Sequence, residues 1–379
     1  MSRRSPSVAV FAVEDRSVQV MWRGLGPGPL RVEAPEAGVA VDLDEVAPVG
    51  AAVLDGLPAG RRLVIRASGP ALGHASIERP ATTLASPPGE ELVRIATIGD
   101  LHFGTRVFGH RGTIVERPRP EVAHPLRCAQ AAADEAVAWG ASRLVAKGDL
   151  TNVGRIGEWR AYARFVAGLP IPVDAIPGNH DRYDRRFDVD DALAVHHLSI
   201  ARPLLVRDLP GLRTVLVDTT IPGRNRGRVT PVLDDLLDAA ADAPRDGGVL
   251  VVLHHQLQAH LLPEGWPIGI DHRESVALLD RLGAAHPNVV VTSGHTHRHR
   301  RWDHAGVTAT QVGSTKDYPG VWAGYAVHEG GLRQVVRRVA RPDCIAWTEH
   351  SARAAFGAWR YVAPGPLRAR CFVKRWRGR

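Results

Sequence analysis

The sequence predicts an α/β protein preceded by a small all-β unit, and three observations carry that reading. From Leu92 onward, short apolar runs alternate with helical stretches, the pattern of layered α/β architecture. Before residue 86, apolar and polar residues alternate in short runs separated by Gly/Pro clusters. Five of the later apolar runs end in a cluster of Asp, Asn and His, and no cysteine is among them.

In residues 1–86 the runs are "SVQVMW", "PLRVEA" and "RRLVIRA", with turns at "GLGPGP" and "GLPAG". They predict an antiparallel, sandwich-like β domain. "ASPPGEE" reads as a linker. Next comes "LVRIATIGD" as a strand, then "HPLRCAQAAADEAVAWG" as a helix with Gly140 as its stop. "RLVAKGD" is a strand and "IGEWRAYARFVAGL" a helix. The runs "VDAIPGN", "LRTVLVDT", "GVLVVLHH" and "NVVVTSGH" continue the series, with helices expected near 230–242 and 273–286. The α/β unit therefore spans 92–340. A basic extension, 341–379, follows with no structure assigned to it.

Hydrophobic residues make up 44% and charged residues 23% of the 379, ordinary for a globular protein. The net charge of +8 raises nucleic acid as a partner, but the only lysines are Lys147, Lys316 and Lys374. Arginine abundance beside Ala, Gly and Pro abundance reads as genomic bias, so nucleic acid is possible and not favoured. Three cysteines at unrelated spacings exclude a disulfide framework and suit a reducing compartment. Glu14 and Asp15 interrupt the N-terminal apolar run too early for a signal peptide, and no run is long enough to span a membrane. A cytoplasmic location is expected, and nothing in the pattern fixes an oligomeric state.

The polar clusters are "IGDLH" (Asp100, His102), "KGDLTN" (Asp149, Asn152), "PGNHD" (Asn179, His180, Asp181), "LHH" (His254, His255) and "SGHTH" (His295, His297). Singly, each is an ordinary turn. Together they occupy the strand ends, where ligands of open α/β sheets collect. His295 and His297 are two apart, so on an extended chain they would point the same way, toward one ion. Carboxylates, an amide oxygen and imidazoles suit Mn, Fe, Zn or Co better than Ca. Seven such donors exceed the needs of one ion. Two ions sharing a carboxylate could bridge a hydroxide and clamp a phosphoryl group during in-line displacement.

This ordered set closely resembles the signature of calcineurin-like metallophosphoesterases, over about Leu92 to Ala340. The resemblance implies a four-layer α/β/β/α sandwich with a dinuclear site at one edge. It implies that Asp100, His102 and His297 bind one metal, that Asn179, His254 and His295 bind the other, and that Asp149 bridges. His254 is preferred to His255 because the first histidine of the family's pair is the ligand. By the same resemblance, His180 contacts the substrate and Asp181 orients His180; His299 maps onto no ligand of the family and reads as substrate-facing or simply exposed. Purple acid phosphatases carry a tyrosine three residues after the bridging aspartate; Asn152 stands there, so a ferric-tyrosinate centre is not expected. The motif style looks closer to bacterial cyclic-nucleotide and glycerophosphodiester phosphodiesterases. That resemblance implies hydrolysis of a phosphodiester, with a small molecule as the substrate. The alternatives are a monoester phosphatase, a nuclease, or a non-catalytic scaffold on the same fold.

Pocket walls are expected from two segments, one with Arg106, His110 and Arg111 and another with Trp266 and His272. Arg182 could meet a phosphate or pair within its loop. The C-terminal extension could cap the site, pack on the β domain, or bind acidic partners.

Overall fold

A computed structural model describes residues 5–73, 75–184, 186–261 and 267–377. Two six-stranded sheets form its centre. The first runs in the order Val173–Ile176, Arg143–Lys147, Glu91–Ile98, Val321–His328, Gly331–Arg338, Phe372–Arg375. Its first three strands are parallel and the rest antiparallel. The second runs Leu204–Leu209, Leu212–Val217, Gly248–Val252, Val289–Ser293, Val307–Gln311, Arg300–His304, with four parallel strands inside two antiparallel edges.

The apolar runs of the parallel strands have two buried faces, as parallel sheets covered on both sides require. Leu250 and Val252 join the core between the sheets, while Val249, Val251 and Leu253 pack with Leu236, Leu278 and Leu282 of the outer helices. Those helices are Leu233–Ala241 and His272–Ala285, close to where the sequence predicts them. On the other side, His124–Ala138 packs on the first sheet and Ile156–Ala167 buries Trp159, Tyr162 and Phe165. The layers are thus α/β/β/α. Polar bonds cross between the sheets: Lys147 Nζ and Tyr325 Oη both donate to Thr292 Oγ1, at 3.2 and 2.8 Å.

Residues Ser7–Thr82 form two antiparallel sheets, of three and four strands, and the three alternating runs are all among them. This unit docks on the first sheet. Gln19 exchanges two 2.8 Å hydrogen bonds with the backbone of Arg338, and Arg333 pairs with Asp15 at 2.6 Å. Residues 341–377 are built into the same frame. Helix Pro342–Ser351 packs against helix His124–Ala138, and Phe372–Arg375 is an edge strand. Arg370 Nε donates to the Phe11 carbonyl, so the extension also packs on the β domain. Among the described residues, no helix is long and apolar enough to cross a membrane.

One carboxylate fastens these parts. Glu349 pairs with Arg23 of the β unit at 2.8 Å, with fully buried Arg338 at 2.9 Å and with Arg360 at 3.3 Å. Removing it leaves a buried guanidinium without its counter-charge, which costs about 3–5 kcal/mol. Glu349→Ala should therefore lower the urea midpoint of unfolding strongly; an unchanged midpoint would show that the cluster contributes nothing net.

Candidate metal centre

The five strand-end loops meet on one edge of the sandwich. Asp149 lies at the centre. Its Oδ2 is 3.4 Å from His102 Nε2 and its Oδ1 is 3.3 Å from His254 Nε2. His254 Nε2 is also 3.2 Å from Asn179 Oδ1 and 3.2 Å from His295 Nδ1. On the other side, His297 Nε2 lies 3.6 Å from Asp100 Oδ1. Donor atoms of Asp100, His102 and His297 all fall within 4.8 Å of one another, as do those of Asp100, Asp149 and His254. The structure therefore brings all seven predicted ligands together.

The manner of convergence differs from the sequence expectation. His295 and His297 do not sit on an extended chain, because the strand ends at Ser293. Their φ angles are 70° and 53°, and Asp100, His102 and Asp149 are also left-handed at 53°, 49° and 48°. Non-glycine residues avoid this region, and its occupation at a cluster of donors is characteristic of strained functional sites. Neighbouring loops must come very close. A Cβ on Gly178 would lie 2.2 Å from Asp149 Oδ1, and one on Gly148 would lie 2.5 Å from His254 Nδ1. His299 departs from expectation too. It is 1% exposed, and its Nδ1 accepts from Gly313 N–H at 3.2 Å, so it belongs to the core behind the site.

Asp181 and His180 are both in the loop, but their side chains bond to different partners. Asp181 is fully buried and accepts from the N–H groups of Leu150, Thr151 and Gly178 and from the Thr151 hydroxyl, at 2.6–3.1 Å. It ties two strand-end loops together. His180 is oriented instead by the Asn152 carbonyl, 2.6 Å from its Nδ1. A carbonyl only accepts, so Nδ1 carries the hydrogen and Nε2 is left for the pocket.

Burial raises the pKa of Asp149, but His254, His180 and His102 reverse this and hold it well below the usual carboxylate value. Burial chiefly holds His102 and His295 well below the usual imidazole value. His254 goes the other way, to about 9, because Asp149 and Asp100 outweigh its burial. The donors fit a metal on independent grounds. Asp100 Oδ2 and His102 Nε2 are buried without a hydrogen-bond partner, an arrangement that is costly unless a ligand satisfies it.

Several residues at the site had no sequence signal. Asp317 accepts from His297 Nδ1 at 2.8 Å and from Lys316 Nζ at 2.7 Å, the carboxylate–histidine arrangement that fixes ligand orientation. Tyr183 joins Asn179 to Asn225 by two 2.6 Å hydrogen bonds. His255, set aside in the sequence, lies with His254 and His295 in a third donor group, its Nδ1 2.7 Å from the Thr219 hydroxyl. A pocket of about 540 Å³ opens over the centre, walled by Phe108, His110, Lys316, Ala354, Ala355 and Trp359. The C-terminal extension thus caps the site. Of the other predicted wall residues, Arg106 is spent on Glu116 and on the carbonyls of Pro120 and Glu121. Arg182 lies 3.8 Å from Asp218. His272 bonds the Gln258 carbonyl and lines a different cavity. Trp266 lies outside the described residues.

This fold, with ligand-type residues on successive strand ends, defines a metallophosphoesterase centre. The calcineurin-like phosphoesterase family model matches residues 93–299, more than half of the chain, and the protein belongs to that family. The chain is 28% identical over 166 residues to a protein of Arcobacter nitrofigilis named "Probable glycerophosphodiester phosphodiesterase GpdQ", covering 41% of this chain and 56% of that protein. It is 31% identical over 163 residues to the 3',5'-cyclic adenosine monophosphate phosphodiesterase CpdA of Pseudomonas aeruginosa, covering 41% and 54%. The chain thus spans just over half the length of these curated relatives. Among solved structures, the purple acid phosphatase PPD1 from yellow lupin (Lupinus luteus) seeds aligns with a TM-score of 0.47 and 14% identity, covering 89% of this chain and 72% of that one.

Asp181→Ala should leave three buried N–H groups unsatisfied, at about 1–3 kcal/mol each. Thermal unfolding should show a large loss of stability, whereas an exposed-loop role would leave the transition in place.

Proposed function

We propose that the protein is a metal-dependent phosphoesterase that hydrolyses a phosphodiester. The observation that supports this best is the position of Asp149, whose two oxygens face histidines from opposite sides of the centre, His102 and His254. In this reading Asp100, His102 and His297 would hold one ion, Asn179, His254 and His295 would hold another, and Asp149 would serve both. The mixed donor set favours Mn, Fe, Zn or Co. Such a pair supplies Lewis acidity toward phosphoryl oxygens and lowers the pKa of a shared water.

The protein's own groups do the rest. His180 lines the pocket with Nε2 available, placed to hydrogen-bond a phosphoryl oxygen or to protonate the leaving group. Asp317 keeps His297 in one tautomer and orientation, and Asp181 holds the loops that carry Asp149 and Asn179. The diester preference rests on the named activities of the relatives above, as does a small-molecule substrate. Cys128, Cys344 and Cys371 are free and buried, which agrees with a cytoplasmic location.

Metal-stripped protein given Mn²⁺ should hydrolyse a chromogenic phosphodiester faster than the matching monoester. A faster monoester rate would make it a phosphatase, and silence on both with no bound metal would leave a binding scaffold. Asp149→Ala should abolish turnover and lower metal stoichiometry. His180→Ala should keep its metal while kcat falls by about 10²–10⁴; loss of metal in that variant would move His180 into the ligand set.

A further inference from the structure

The rim of the catalytic pocket is unusually apolar. Among the described residues eleven large apolar side chains are exposed, and six of them lie on segments that frame this mouth. Val107 lines the pocket and pairs in register with Val115, both more than a third exposed. Ile268 follows the lining residue Pro267. The C-terminal segment contributes Phe356, Tyr361 and Val362, at 110%, 82% and 45% exposure. Phe356 and Ala355 both adopt left-handed backbone, with φ of 56° and 49°, at a turn where neither is glycine. That strained turn carries a phenyl ring into solvent, next to the wall of the pocket.

Along the two rim segments 105–121 and 352–362 the exposed charge is mainly positive. Arg111 and Arg353 are exposed beside the two apolar segments, and Arg117 and Arg119 are exposed further along the first. Among the described residues no ion pair engages any of the four, and the only exposed carboxylate from 105 to 121 and from 352 to 362 is Glu121. Scattered exposed apolar residues need no explanation, but a patch gathered at a site mouth marks an interaction surface.

We propose that this rim docks the protein on an anionic lipid bilayer. Aliphatic and aromatic side chains would enter the headgroup boundary while the arginines meet lipid phosphates and carboxylates. Valine, isoleucine and phenylalanine side chains suit hydrocarbon. A nucleic-acid face would instead require a row of stacking rings along a basic groove. This is surface attachment and involves no spanning helix. Its consequence, that the mouth faces headgroup phosphodiesters, rests on the function proposed above.

Sedimentation with vesicles tests the proposal on the full chain. The protein should bind phosphatidylcholine vesicles containing phosphatidylglycerol and bind pure phosphatidylcholine weakly. Phe356→Ser with Tyr361→Ser should reduce partitioning by about tenfold or more, and Arg111→Ser with Arg353→Ser should do so for anionic vesicles. Both pairs should keep hydrolysis of a soluble chromogenic diester within about twofold, since none of the four residues contacts the centre. Absence of vesicle binding by the unmodified protein, or binding unchanged in both pairs, would overturn the proposal. So would a salt-dependent affinity for single-stranded DNA that the same substitutions remove. Binding is read without turnover, so its failure is distinct from a failure of the proposed activity.

Discussion

The centre depends on a backbone that five of its seven donors would not adopt alone. Asp100, His102, Asp149, His295 and His297 are all left-handed, and such residues cost about 1–3 kcal/mol each. The surroundings must offset that strain, and much of the work falls to carboxylates. Asp181 gathers the N–H groups of Leu150, Thr151 and Gly178. Asp149 accepts from His180 N–H at 2.9 Å, and Asp100 accepts from His295 N–H at 2.9 Å. Apart from the Gly178 bond, which closes the loop of Asp181 itself, each of these bonds joins one strand-end loop to another. The loops are therefore held as a set, and the donors with them.

Such loops need rigid mounts, which the two facing sheets provide. The strands that deliver Asp100, Asp149, Asn179, His254 and His295 are parallel neighbours in their sheets, buried on both faces. Parallel alignment puts every carboxyl end on the same edge. The β unit, the helix Pro342–Ser351 and the strand Phe372–Arg375 then cover the first sheet and its far edge, fastened through Arg338, Glu349 and Arg370. Attachment of the β unit is thus part of how the first sheet is stabilised, whatever else that unit does.

The sequence was legible wherever local pattern and burial coincide. The parallel strands could be read because each is a continuous apolar run ending in polar residues, and the two helices of the second face because their periodicity is regular. The strands Val321–His328 and Gly331–Arg338 escaped notice because Gly324, Gly330, Gly331 and interleaved arginines break the apolar pattern. Those arginines are buried by partners distant in sequence, as Arg333 is by Asp15, which no local window reveals. The ligand types were legible, but their geometry was not. Spacing suggested a pleat for His295 and His297, and a left-handed turn achieves the convergence instead. Asp317 and Lys316 gave no signal because "STKDYPG" resembles any polar turn until the fold brings it beneath His297.

The part of the chain that shapes the pocket extends beyond the part that matches the family. All seven donors, with His180, lie within residues 93–299. Lys316, Ala354, Ala355 and Trp359 lie beyond it, as do Asp317 and the exposed Phe356. The family match therefore covers the donors and most of the pocket lining, while one wall is built from residues beyond it. Phe108, whose ring lies 5.9 Å from His297 and 5.8 Å from Trp359, joins the two regions. Through Phe108 the C-terminal segment is linked to a proposed ligand, so a change in that wall can reach the His297 ring without any change in the donors themselves.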